Sequence, residues 1–70
     1  MTNTKMLCEY IVKSGLKKSY IAKALGVSVR SLSSKINNIT EFKASEIEAL
    51  CIILQIQDLR EKDRIFFAPK

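Results

Sequence analysis

Between Lys18 and Ile36 two apolar helical patterns meet at a single glycine, Gly26, and only Val27 and Ser28 separate that bend from the next helix. Gly26 can take the left-handed backbone that ends a helix, and the Ser28 hydroxyl can cap the start of another. Ile21, Ala22 and Leu25 belong to the inner side of the first pattern. Val29, Leu32 and Ile36, spaced three and four apart, predict the inner side of the second. A connection this short forbids an antiparallel hairpin, so the two helices must cross at a steep angle. Ala22 is small where they approach most closely, and Leu25, Val27, Leu32 and Ile36 fill the angle between them. Residues 17–37 therefore meet the steric demands of a helix-turn-helix.

The rest of the chain also reads as helix, because nowhere do apolar and polar residues alternate over a useful length. A first helix runs to Ser14, capped by Asn3 or Thr4, with Leu7 and Ile11 inward and Gly15 closing it. After the third helix, Asn37 or Asn38 supplies the left-handed residue, and Ile39 and Phe42 are expected to tuck inward as plugs. A fourth helix over about Ala44–Leu54 carries Ile47, Leu50, Cys51 and Leu54 at i, i+3, i+4 and i+7, with Glu46 and Glu48 near its positive end. A short fifth helix around Asp58–Ile65 precedes Pro69. The prediction is one all-α, compact five-helix domain over residues 1–70, small enough that oligomerisation or a partner would add usefully to its stability.

Charge is unevenly placed along this domain. The net +5 divides into +6 over residues 1–43 and −1 over residues 44–70. Cations concentrated on one part of a small domain point to a polyanionic partner, the plainer reading being charge scattered over a solvated surface. The outer side of the third helix bears Arg30, Ser31, Ser34, Lys35 and Asn37, and no acid occurs from Gly26 to Thr40.

Other function classes have little to stand on. The chain has no histidine and no CxxC, so imidazole ligands, zinc-ribbon spacing and the commonest general base are absent; no metal, no cofactor and no enzyme are expected. Cys8 and Cys51 stand singly among apolar neighbours, which reads as reduced thiols in a cytoplasmic protein, with a disulfide between them the minor alternative. The N-terminal stretch lacks the apolar run of a signal peptide, and Ala49–Ile56 is too short to cross a bilayer, so no membrane partner is expected.

The stretch "GLKKSYIAKALGVSVRSLSSKINNITEF" resembles the helix-turn-helix of small phage repressors and Cro-type regulators. The following "ASEIEALCIILQI" and "DRIFFA" are similar to short regulators of temperate phages of Gram-positive bacteria. The resemblance implies a phage-repressor-like fold and a phage-encoded regulator of the lysogenic–lytic switch, acting in the bacterial cytoplasm on double-stranded operator DNA. It places the first residues of the third helix in the major groove, which here are Ser28, Val29, Arg30, Ser31 and Ser34. Arg30 would pair two-pronged with guanine and Val29 would touch a thymine methyl. Phosphates would fall to Lys17, Lys18 and Ser19 at the start of the second helix, and to Lys35 and Asn38 at the far end of the third. Lys17 stands where a capping Ser or Thr is common, and two lysines at the positive end of a helix dipole repel it until an anion arrives. Glutamine and asparagine base readers, frequent in the family, are missing from the start of the third helix, which weakens the case for sequence-specific affinity.

A second reading has the chain acting as an antirepressor that grips the phage's main CI-type repressor and masks its basic recognition surface. Acids and apolar anchors would be needed, and Glu41, Glu46, Glu48, Asp58, Glu61, Ile52 and Ile53 are candidates. The plainer reading makes these acids dipole partners and solvated charge. Phe66 and Phe67 are adjacent, so one is expected to seal the core and the other to face a partner, either that repressor or a twin subunit in a homodimer; packing of both rings in the core is the alternative.

Overall fold

The computed structural model describes residues 1–69 and contains five α-helices with no strand among them. The helices are α1 (Thr4–Ser14), α2 (Lys18–Leu25), α3 (Val29–Ile36), α4 (Ala44–Ile53) and α5 (Leu59–Phe66). Their starts obey local chemistry. The Asn3 side chain accepts from the Met6 amide, Ser28 from Ser31, and Asp58 from Arg60. Helix α4 uses a different device: the Lys43 amide donates to Glu46 Oε1 at 2.8 Å. An ammonium offers no acceptor, so Lys43 cannot return that bond.

Three helices end in the same left-handed turn built on three different residues. At Gly26 (φ +76°) the Val27 amide reaches back to the Ala22 carbonyl at 3.0 Å. At Asn38 (φ +63°) the Ile39 amide bonds Ser34, and at Gln55 (φ +56°) the Ile56 amide bonds Cys51. These are Schellman closures, and only the first uses the residue that adopts such a backbone without a steric cost.

One core is shared by all five helices. Leu7, Ile21, Leu32, Leu50 and Ile65 are fully inaccessible, joined by Ile11, Ala22, Ile36, Ile47, Leu54, Ile56 and Phe66. Helix α2 packs against α3 and α4, while α1 packs against α3 and α5. Phe42 meets Phe66 edge to face, with ring centroids 5.6 Å apart. Phe42 thus plugs the core as expected. Ile39 does not: it is 76% exposed, because the left-handed turn at Asn38 sends the chain outward before Phe42 brings it back. Leu25 and Val27 pack at the core's margin, and Cys8 and Cys51 are free, half-buried thiols. Burial raises the Cys51 thiol above its ordinary value.

The chain's ends are tied together. The Asn3 amide donates to the Ile65 carbonyl at 2.6 Å and the Ala68 amide to Met1 at 3.0 Å. Asn38 clasps the same segment from α3's side, accepting from the Thr2 amide at 2.7 Å and donating to the Thr2 carbonyl at 2.8 Å.

Candidate nucleic-acid interface

The α2–α3 corner is built from the inside out. Ile21 and Ala22 of α2 and Leu32 and Ile36 of α3 are buried, which turns the intervening residues of both helices outward. On α3 this exposes Arg30 and leaves Ser31, Ser33 and Ser34 half-exposed. Val29, expected on the inner side from its spacing, is 45% exposed. It is the first residue of the helix, ahead of the turn that the core grips, so its side chain belongs with the outer set.

Ser28, Arg30, Val29, Ser31 and Ser34 therefore lie on or beside one outward ridge. Ser28 Oγ accepts from the Ser31 amide at 3.0 Å, which fixes the ridge's first turn and leaves the hydroxyl proton free to donate. Lys17, Lys18 and Ser19 are all exposed at the start of α2, and no side chain caps that helix. Its first-turn amides and the two lysines thus present only donors and positive charge. Among the described residues, no carboxylate pairs with Lys17, Lys18 or Arg30. Tyr20 and Lys23, three apart on one side of α2, are exposed as well. The sequence marks them only as a gap in α2's apolar pattern, so they escaped the predicted set.

Two predicted phosphate contacts are spent inside the fold. The Lys35 side chain is only 10% exposed, and its Nζ lies 3.0 Å from Glu46 Oε1 and 3.2 Å from the Glu41 carbonyl. Expected on the outer side, Lys35 comes three residues after Leu32 and flanks the buried stripe, and Glu46 in the first turn of α4 covers it. Asn38 is exposed as a residue, but both ends of its amide are committed to Thr2.

The acids proposed as partner contacts are also divided by the structure. Glu46 is buried, and its pKa is set by a contest: burial pushes the carboxyl up, and the Lys43 amide together with the Lys35 ammonium overcomes that push and holds it below its ordinary 4.5. Asp58 is exposed but caps α5. Glu61 is half-buried and accepts from the Tyr10 hydroxyl at 2.9 Å. That bond, then burial and the charges of Glu61 and Asp58, raise the Tyr10 pKa above its ordinary 10.0. Glu41 and Glu48 remain exposed.

Ile52 stands clear of the core while Ile53 packs against it. Phe66 is 4% exposed and Phe67 59%, so one ring seals the core and its neighbour faces outward. No helix is long and apolar enough to cross a membrane, and no group of three or more potential metal ligands converges among the described residues. No family model matches the chain, and no curated protein or solved structure is significantly similar to it.

Proposed function

We propose that the protein is a DNA-binding transcriptional regulator of a temperate phage's lysogenic–lytic switch, gripping operator DNA with the outward ridge of α3. The observation that carries this reading is the unpartnered positive charge at one corner: Arg30 on α3 and Lys17 and Lys18 at the uncapped start of α2, with no carboxylate paired to any of them among the described residues. A phosphate at the start of α2 would meet free amide donors and two ammonium groups, relieving a repulsion the free protein carries. Arg30, with its side chain outward, is the residue able to read guanine, while Ser28, Ser31 and Ser34 adapt to whatever donor or acceptor lies opposite. With Lys35 and Asn38 engaged internally, Lys17, Lys18 and Ser19 are what remains of the predicted phosphate contacts. The phage assignment rests on the sequence resemblance.

Titration onto the promoter region upstream of its own gene tests the reading. Log affinity should fall linearly with log salt, with a slope of roughly −0.9 for each phosphate neutralised. Arg30→Ala should relax discrimination at one base position, costing about 1–3 kcal/mol there. Absence of binding at low salt rejects it.

A second reading, masking of the phage's main repressor, is favoured by a separate observation: Ile52, Leu59 and Phe67 are all exposed on the α4–α5 side. Glu41 and Glu48 are the predicted acids left free to meet a basic surface. A heterocomplex with the cognate repressor on size exclusion, lost on Phe67→Ser, supports it; unchanged elution of both proteins counts against it.

A further inference from the structure

We infer that Lys35 and Glu46 form a positioning pair that sets how α3 is presented to DNA, without either residue touching the nucleic acid; the inference rests on the nucleic-acid reading above. The far end of α3 is held by directional bonds to two other parts of the chain. Lys35 Nζ bridges Glu46 Oε1 of α4 and the Glu41 carbonyl, and the same carboxylate oxygen accepts the Lys43 amide. The Ile36 carbonyl accepts from Thr4 Oγ1 at 2.6 Å, tying the last turn to α1. Leu32 and Ile36 anchor the helix in the core, but apolar contacts are non-directional and tolerate small rotations about the helix axis. Charge-assisted bonds near 3 Å do not.

The choice of residues argues the same way. A methionine at position 35 would fill nearly the same volume with no ionic desolvation to offset, and buried ion pairs commonly stabilise no better than apolar replacements. What the pair adds is a fixed rotation and tilt of a helix only eight residues long, whose outer ridge must hold Arg30 and the serines in register with base edges. Lys35 is the cation of the acid-free stretch that points inward, and it is the one with a carboxylate partner.

The test compares Lys35→Met, Glu46→Gln, the double variant and two controls on the promoter duplex at several salt concentrations, with folding checked by circular dichroism. Both single variants should bind about tenfold more weakly, the loss of about one base contact, with the salt slope unchanged. The double variant keeps the Lys43 bond through glutamine and leaves no buried charge, but it lacks the directional bonds of Lys35 and should stay about as weak as the single variants; recovery to wild-type affinity would assign the loss to an unpaired buried charge and overturn the inference. Lys17→Met should instead make the slope shallower by about 0.9. Ile11→Val, destabilised on α1 with the bonds of Lys35 and Glu46 intact, should bind like wild type, which separates positioning from mere loss of stability. A shallower slope for Lys35→Met identifies a direct phosphate contact and overturns the inference, as does wild-type affinity in both folded single variants. If the wild-type protein binds no duplex, the nucleic-acid reading alone fails. Amide hydrogen exchange at residues 33–36 of the free protein then decides: faster in Glu46→Gln than in Ile11→Val upholds the positioning pair, and equal rates overturn it.

Discussion

The α2–α3 corner and the α4–α5 side differ in what becomes of their charged residues. At the corner Ile21, Ala22, Leu32 and Ile36 are buried while Tyr20 and Val29 are exposed, and Lys17, Lys18 and Arg30 are left outside with no acidic partner among the described residues. On the α4–α5 side Glu46, Asp58 and Glu61 are occupied by the Lys35 ammonium, a helix cap and a tyrosine hydroxyl, while Ile52, Leu59 and Phe67 remain in water. Surplus charge attracts a polyanion over a distance and is weakened by salt; surplus apolar surface favours close contact with another protein and is far less salt-sensitive. One small domain thus offers two surfaces suited to different kinds of partner.

The largest expected effect separates the inside of α4 from its outside. Leu50→Ala should cost about 2–5 kcal/mol in urea unfolding, since Leu50 is fully buried, whereas Ile52→Ser on the same helix should stay within about 0.5 kcal/mol. A comparable loss at both positions would mean that the α4 surface is covered in solution.

Glu46→Gln should cost about 1–3 kcal/mol at pH 7, because it leaves the Lys35 ammonium buried without its counter-charge. The Glu46 carboxyl is held below 4.5 when folded, so on acidification the unfolded chain takes up the proton first. The pair's contribution is therefore complete above about pH 4.5 and lost as pH falls through the lower, folded value. The gap between wild type and variant should close in that acid window. Tyr10 runs the other way: its raised pKa means that the bond to Glu61 contributes fully below pH 10 and is lost as pH rises through the folded value, an alkaline dependence that Tyr10→Phe should abolish.

Smaller effects sharpen the comparison between the two left-handed turns. Gly26→Ala should cost about 1 kcal/mol; a Cβ there meets no neighbour, so the loss reflects the positive φ alone. Gln55→Gly, in the same backbone region on the α4 side, should gain about 0.5 kcal/mol or remain neutral, the relief of strain being partly offset by unfolded-state entropy. Thermal melts of the two variants read both signs. Arg30→Ala should leave the melt within about 0.5 kcal/mol of wild type, since its side chain is exposed and makes no ion pair among the described residues.

The helices and the bend at Gly26 were legible because their causes are local. Asn3, Ser28 and Asp58 cap the starts of α1, α3 and α5, Gly15 and Gly26 close the ends of α1 and α2, and the predicted ends of those two helices coincide with the observed ones. Gln55 gave no comparable signal, since glutamine rarely takes a left-handed backbone and does so here because Leu54 and Ile56 on either side are both buried. Ile39 misled for the converse reason, an apolar residue that the turn at Asn38 carries into solvent. At the site, the exposure of Arg30, Lys17 and Lys18 could be read from helix periodicity. The fates of Lys35 and Asn38 could not, because their partners are distant: Glu46 is eleven residues from Lys35, and Thr2 is thirty-six from Asn38.

Sequence alone determined five helices, the tight turn at Gly26 between the second and third, and an excess of positive charge in the first half of the chain. Those properties depend on neighbours within one or two helical turns. Which polar side chains stay in water and which are consumed by the fold was decided only when α4 came to lie against the end of α3 and Thr2 against Asn38. Burying a charge is costly unless a partner of opposite sign arrives at hydrogen-bonding distance, and among the described residues the tertiary arrangement brings such a partner to Lys35 and none to Arg30.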